Sequence, residues 1–312
     1  MNIVNNIKEN ISKVIIGKKQ VTDLLLTAVI AKGHVLLEDV PGTGKTVLAK
    51  TLAKSIDGEF ARVQFTPDLL PSDITGINYY NQKQGEFIFR RGPVFSNILL
   101  ADEINRATPR TQAGLLEVME ERQVSIEGIT YKLEAPFFVI ATENPLETLG
   151  TFPLPEAQLD RFLMKLSMGF PNKEEELQIM ERFMEKEPLE EISSVVKKED
   201  ILELQKKCRS VYVHPVLMNY IAEIVAQSRK HREIRTGISP RGTLALLNAS
   251  RAHALVKERE YVVPEDIKEV AVPVLAHRIQ VNANTFEPEA AENLIKGLFM
   301  CTTLPTEEWN KR

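Results

Sequence analysis

Only two of the 312 residues are cysteine, Cys208 and Cys301, far apart and without a Cys-x-x-Cys pair. That excludes a disulfide framework, and both read as free thiols of a reducing compartment. The five histidines are scattered without metal-ligand spacing, which excludes an ordinary structural zinc site. No apolar run approaches the ~20 residues that a membrane span needs. The stretch Met1–Lys13 alternates polar and apolar residues instead of building a signal-peptide core. The expectation is a soluble, cytoplasmic protein. Basic charge is not in excess either: 39 Lys and Arg face 43 Asp and Glu, a net charge of −4 with a pI about 5.9. That balance counts against a surface built mainly for nucleic acid or anionic membrane. Internal repeats and low-complexity segments are absent as well.

What remains is globular material, 43% hydrophobic and 26% charged, in a length that suits about two domains. Up to Phe170-Pro171-Asn172 short apolar runs alternate with helical patterns. Beyond it strand signals nearly vanish. The expected division is therefore an α/β domain over residues 1–172 and an all-α domain over 173–312. The expected strands are Glu59–Phe65, Asn97–Ala101, Phe137–Ala141 and Leu163–Met168, with hairpins at Ile77–Arg90 and Gln123–Leu133. Expected helices include Thr111–Arg122, Lys173–Met184, Lys198–Lys207, Val216–Arg232, Ser239–Glu258 and Pro264–His277, with a broken helical stretch over Met1–Lys32.

The stretch His34–Ile56 organises the chain. His34–Glu38 reads as a buried strand, and Asp39-Val40-Pro41-Gly42-Thr43-Gly44 as a turn. From Lys45-Thr46-Val47 onward apolar residues recur at helical spacing. Strand, glycine loop and helix opening on Lys-Thr is the arrangement of a phosphate-binding P-loop. N–H groups at a helix start, helped by the helix dipole, attract an anion. Gly42 and Gly44 let the loop curl, Lys45 supplies charge to outer phosphates, and the Thr46 hydroxyl can sit on Mg²⁺. The strict pattern places glycine where this chain has Asp39, an acid that serves such a site only if it points away. Upstream, Ile16-Gly17 is either a plain turn or an apolar contact for a nucleotide base.

A strand ending in Asp102-Glu103 supplies what a P-loop lacks. One carboxylate can hold Mg²⁺ and the next can orient an attacking water. Asn144, closing the run FFVIATEN, is either an amide for a phosphate or water, or the start of an Asn-Pro turn. Arg161 and Arg241 are candidate charge stabilisers. Tyr79, Tyr80 and Phe87 make the first hairpin either a contact arm or an internally packed one.

The ordered set DVPGTGKT, LLADEINRA, VIATENP, LPEAQLDRF and GISPRG resembles the MoxR family of AAA+ ATPases over nearly the whole chain. That resemblance implies a parallel-sheet ATPase core with β-hairpin inserts and a helical lid, using ATP and Mg²⁺. It makes Lys45 and Thr46 the Walker A lysine and Mg²⁺ ligand, Asp102 and Glu103 the Walker B pair, and Asn144 and Arg241 the two sensors. Arg161 takes the place of an arginine finger reaching a neighbouring subunit, with Arg106 as the competing candidate. A hexameric ring acting on client proteins, typically with von Willebrand A domains, is implied too. Two rivals stay open: a nucleic-acid motor and a nucleotide-gated switch with little turnover.

Overall fold

The computed structural model describes residues 3–147, 149–185, 187–282 and 289–303. Met1 and Asn2 of the expected N-terminal helical stretch lie outside them. In chain order the elements are α1 (Ile3–Ser12), α2 (Lys19–Ile30), β1 (Val35–Glu38), α3 (Lys45–Ser55), β2 (Phe60–Gln64), α4 (Pro71–Thr75), β3 (Gly76–Asn81) and β4 (Glu86–Arg91). There follow β5 (Ile98–Asp102), α5 (Pro109–Glu121), β6 (Gln123–Ile126), β7 (Ile129–Lys132), β8 (Phe138–Glu143), α6 (Glu156–Leu159) and β9 (Met164–Leu166). The rest is α7 (Lys173–Glu185), α8 (Pro188–Glu191), α9 (Lys198–Cys208), α10 (Pro215–Ser228), β10 (Ile234–Thr236), α11 (Pro240–Val256), α12 (Pro264–Leu275), β11 (Gln280–Val281) and α13 (Ala290–Cys301).

Two compact units form, neither a single run of sequence. One takes Met1–Thr22, His34–Arg161 and Leu166–Glu203, the other Asp23–Gly33, Phe162–Lys165 and Leu204–Arg312. A five-stranded parallel sheet has the order β2-β5-β8-β1-β9. Its central strands are apolar on both faces, as a parallel sheet covered by helices requires: Val35–Leu37, Ile98–Ala101 and Phe138–Ala141 are all buried. Pairings such as Leu36↔Ala141 and Leu100↔Ile140 bring the ends of β1, β5 and β8 to one edge.

Within the first unit α1 packs on α3, where the Asn10 amide donates to Ser55 Oγ at 2.9 Å. Both expected hairpins form, as the antiparallel pairs β3–β4 and β6–β7. They lean on each other. Phe89 stacks on Tyr131 with centroids 4.3 Å apart, and the Asn78 amide donates to Glu127 Oε2 at 2.7 Å. Tyr80 and Phe87 pair across the strands at 5.3 Å, yet Phe87 stays 71% exposed.

The second unit is mostly helical, built around α10 to α13 with Leu246, Ile267, Val270, Val274 and Ile295 in its core. Three features depart from the expectation. A small antiparallel pair, β10–β11, joins Ile234 to Val281. The helix expected over Val216–Arg232 stops at Ser228, whose Oγ turns back on the Val225 carbonyl and accepts the Ile238 N–H. Finally, α13 adds a helix beyond the expected ones.

Candidate active site

Chain leaving β1 enters the loop Asp39–Gly44, and α3 begins at Lys45. Gly42 and Gly44 hold left-handed backbone, φ 88 and 89. A Cβ on Gly42 would meet nothing within 4 Å, so conformation and not crowding calls for glycine there. No side chain caps the start of α3, which leaves the first-turn N–H groups directed at an incoming anion. The Lys45 ammonium bends over the loop and donates to the carbonyls of Asp39 at 2.7 Å and Val40 at 3.3 Å. Pro41 is exposed, while Val40, Thr43, Thr46 and Val47 are half-buried along the loop and first turn.

Asp39 points away from the loop. Its carboxylate is buried and accepts from Ser167 Oγ at 2.8 Å, Met168 N–H at 2.7 Å and Gly169 N–H at 3.0 Å. The acid that departs from the strict P-loop pattern thus ties the loop to the segment after β9 and spends its charge there. Ile16 is buried, and Gly17 is a left-handed turn at φ 75. A Cβ on Gly17 would run into the Glu175 carboxylate. That carboxylate is set by a reciprocal pair: Asn172 N–H to Glu175 Oε2, and Glu175 N–H to Asn172 Oδ1, both 2.9 Å.

Asp102 ends β5 and Glu103 follows in left-handed backbone, φ 55, uncommon for a residue with a side chain. Asp102 Oδ1 accepts from Thr142 Oγ1 at 2.6 Å, and Oδ2 faces Arg62, with Nη2 at 2.6 Å. The same Thr142 oxygen accepts the Glu103 N–H at 2.8 Å. Glu103 Oε2 accepts from the Gln64 amide at 2.8 Å and lies 2.9 Å from Arg106 Nε. The guanidinium of Arg106 also grips Glu147, and these two carboxylates, Glu147 first, raise its pKa above the usual arginine value.

Asn144 is buried just past β8, and its Oδ1 accepts the Leu146 N–H at 3.2 Å, so the side chain does close an Asn-Pro turn. Arg161 follows α6, one third exposed, with Nε 3.5 Å from Glu120 Oε2. Arg241 belongs to the second unit, exposed on the first turn of α11, whose N-cap Ser239 accepts the Gly242 N–H at 3.2 Å. The first unit therefore brings together Lys45 and Thr46 at the start of α3, Asp102 at the end of β5, Glu103 after it and Asn144 after β8. Sequence reasoning missed Arg62, Gln64, Thr142 and Glu147. The first two are exposed at period two on β2, a signal that points at the site only once Gln64 is known to pair with Asp102.

The donor set suits a nucleotide-borne magnesium ion. One hydroxyl (Thr46) and one carboxylate (Asp102) are what Mg²⁺ takes from protein when phosphates and waters fill its other positions. Among the described residues no group of three or more His, Cys, Asp or Glu forms a protein cage.

Fold and site together define an ATPase-type P-loop protein, and the comparisons agree. Residues 34–164 match the ATPase family associated with various cellular activities (AAA), and residues 226–296 match the AAA lid domain. The chain is 42% identical to Chaperone MoxR1 of Mycobacterium tuberculosis over 91% of its own length and 78% of that protein's. Protein MoxR of Paracoccus denitrificans is 33% identical over 88% of this chain and 87% of its own. A crystal structure of a protein assigned as an ATPase from Cytophaga hutchinsonii superposes with a TM-score of 0.90 at 41% identity, covering 98% of this chain and 96% of that one. The chain belongs to the MoxR family of AAA+ ATPases. Among the described residues no helix is long and apolar enough to cross a membrane.

Proposed function

We propose that this MoxR-family protein is an Mg²⁺-dependent ATPase that works as a cytoplasmic homo-hexameric ring and remodels or activates client proteins. In this reading residues 1–172 act as the ATPase core and 173–312 as the helical lid. One observation carries the hydrolytic part. Lys45 after β1, Asp102-Glu103 at the end of β5 and Asn144 after β8 stand at the carboxyl ends of three adjacent parallel strands, the edge where open α/β sheets bind ligands.

Each residue then has a task. The Gly42–Gly44 backbone and Lys45 bind the phosphates, and Ile16 and Gly17 receive the base. Thr46 and Asp102 hold the magnesium ion, which when bound neutralises charge on the phosphate oxygens. Glu103 orients the attacking water through its carboxylate, and Asn144 adds an amide donor beside it. Arg161, one third exposed after α6, completes the site of a neighbouring subunit, and Arg241 is the lid's contribution. The client role is supported by a relative that carries the name chaperone. A client class with von Willebrand A domains rests on the family resemblance.

Two substitutions test the assignment. Lys45→Ala is expected to lose nucleotide affinity along with turnover. Glu103→Gln is expected to keep affinity while turnover drops about 10²-fold or more, the usual scale for removing a general base. A Glu103→Gln protein that hydrolyses ATP like wild type refutes the mechanism.

A further inference from the structure

A chain of charged contacts leads away from Glu103. Ile104–Arg106 forms a single 3₁₀ turn, which sets Arg106 on the same side as the acid three residues before it. Arg106 Nε lies 2.9 Å from Glu103 Oε2, while Nη2 is held by the Glu147 carboxylate. Glu147 belongs to the turn that Asn144 closes. Its N–H donates to the Asn144 carbonyl at 3.4 Å, beside the Leu146 N–H on Asn144 Oδ1 at 3.2 Å. One planar guanidinium therefore spans two carboxylates, one on the hydrolytic acid and the other on the Asn144 turn, the bidentate geometry that arginine provides and lysine does not.

Stability gives these contacts little to do. The Arg106 and Glu147 side chains are 40% and 41% exposed, and pairs this open contribute little to folding. Geometry gives them more. The described contacts of the Glu103 carboxylate, from Gln64 and from Arg106, both fall on Oε2. Two donors on one oxygen fix the rotation of the group and turn Oε1 to whatever water it is to orient. Orientation at this level is worth a large factor in rate.

We propose that Arg106, anchored by Glu147, is a positioning residue that couples the Asn144 turn to Glu103. When the Asn144 amide engages a phosphate, its turn moves Glu147, and the guanidinium passes that displacement to the hydrolytic carboxylate. The inference rests on the ATPase reading above and deepens it, by naming how the site senses that its phosphate is in place.

The test is steady-state ATP turnover for wild type, Glu147→Gln, Arg106→Lys, Arg106→Ala and the swap Arg106→Glu with Glu147→Arg. Thermal midpoint and affinity for a slowly hydrolysed ATP analogue are measured alongside. Glu147→Gln and Arg106→Ala are expected to lower kcat about tenfold or more, with KM and analogue affinity nearly unchanged. Arg106→Lys recovers only part of the loss, since a point charge cannot span both carboxylates. The swap rebuilds the 106–147 pair, and its thermal midpoint, like those of the single variants, stays near wild type, yet it sets a carboxylate against Glu103, so turnover stays low.

Three results overturn the proposal: an unchanged kcat in Glu147→Gln, a swap that restores turnover, or turnover regained on mixing Arg106→Ala with Glu103→Gln subunits. The last would place Arg106 in a neighbour's site. Wild type that neither binds the analogue nor hydrolyses ATP refutes the ATPase reading and this one together. Wild-type turnover beside an unaffected Glu147→Gln refutes this one alone.

Discussion

His34 is wholly enclosed at the entry to β1, against Phe137 and Phe138. Its Nδ1 accepts the Val139 N–H at 2.9 Å, so the proton of the neutral ring sits on Nε2, 3.1 Å from the Met119 carbonyl. Burial, helped by the positive charge of Arg122, pushes its pKa from 6.5 down to about 3. The folded protein keeps the ring neutral while the unfolded chain protonates it, so stability is lost as pH falls from about 6.5 toward 3, by at most ~1.4 kcal/mol per pH unit. His277 is depressed in the same direction by burial and Arg278. Urea midpoints measured from pH 7.5 to 5 are expected to fall more steeply for wild type than for His34→Gln. Equal slopes would contradict the neutral, enclosed ring. Asp39 is the counterpart at the nucleotide loop: as a residue type it looked misplaced beside phosphate, and only its three donors from Ser167–Gly169 explain it. Those donors lie far along the chain, beyond the reach of any local pattern.

At the scale of elements, α12 depends on one acid. Asp266 is fully buried in its first turn, accepts two 2.6 Å contacts from Arg259, one of 2.8 Å from His253 and the Val263 N–H at 2.9 Å. Burial alone would raise its carboxyl, but these hydrogen bonds and the charge of Arg259 hold it below the ordinary value. Asp266→Asn keeps the shape and strands the guanidinium, so a loss of about 3 kcal/mol is expected in denaturant unfolding. A change below ~1 kcal/mol would show the pair to be dispensable. Elements whose signal is local were legible. The first hairpin was marked by aromatic and β-branched runs flanking Gln82–Gly85, the second by alternation around Glu127-Gly128, and β5 and β8 by unbroken apolar runs. What stayed hidden was set by distant partners: β10 and β11 are too short to carry a period and exist through pairing Ile234 with Val281.

For the whole molecule, the sheet order decides which motifs meet. The glycine loop, Asp102-Glu103 and Asn144 each carried their own signal, and β5-β8-β1 adjacency gathers them on one edge. The side chains that hold them were not legible, because Arg62 and Gln64 read as exposed strand polars until Gln64 is paired with Asp102. Arg161 is different in kind. Within the chain it meets Glu120 at 3.5 Å, and its proposed task lies in a second copy. The central claim, a hydrolytic site completed between subunits, is tested most directly by ATP turnover against protein concentration, with mass followed by light scattering, for wild type and Arg161→Ala. Specific activity that climbs with mass in wild type, and an Arg161→Ala protein that assembles with turnover down about 10³-fold, is the predicted result. Flat activity per subunit in a protein that stays monomeric with ATP would contradict it.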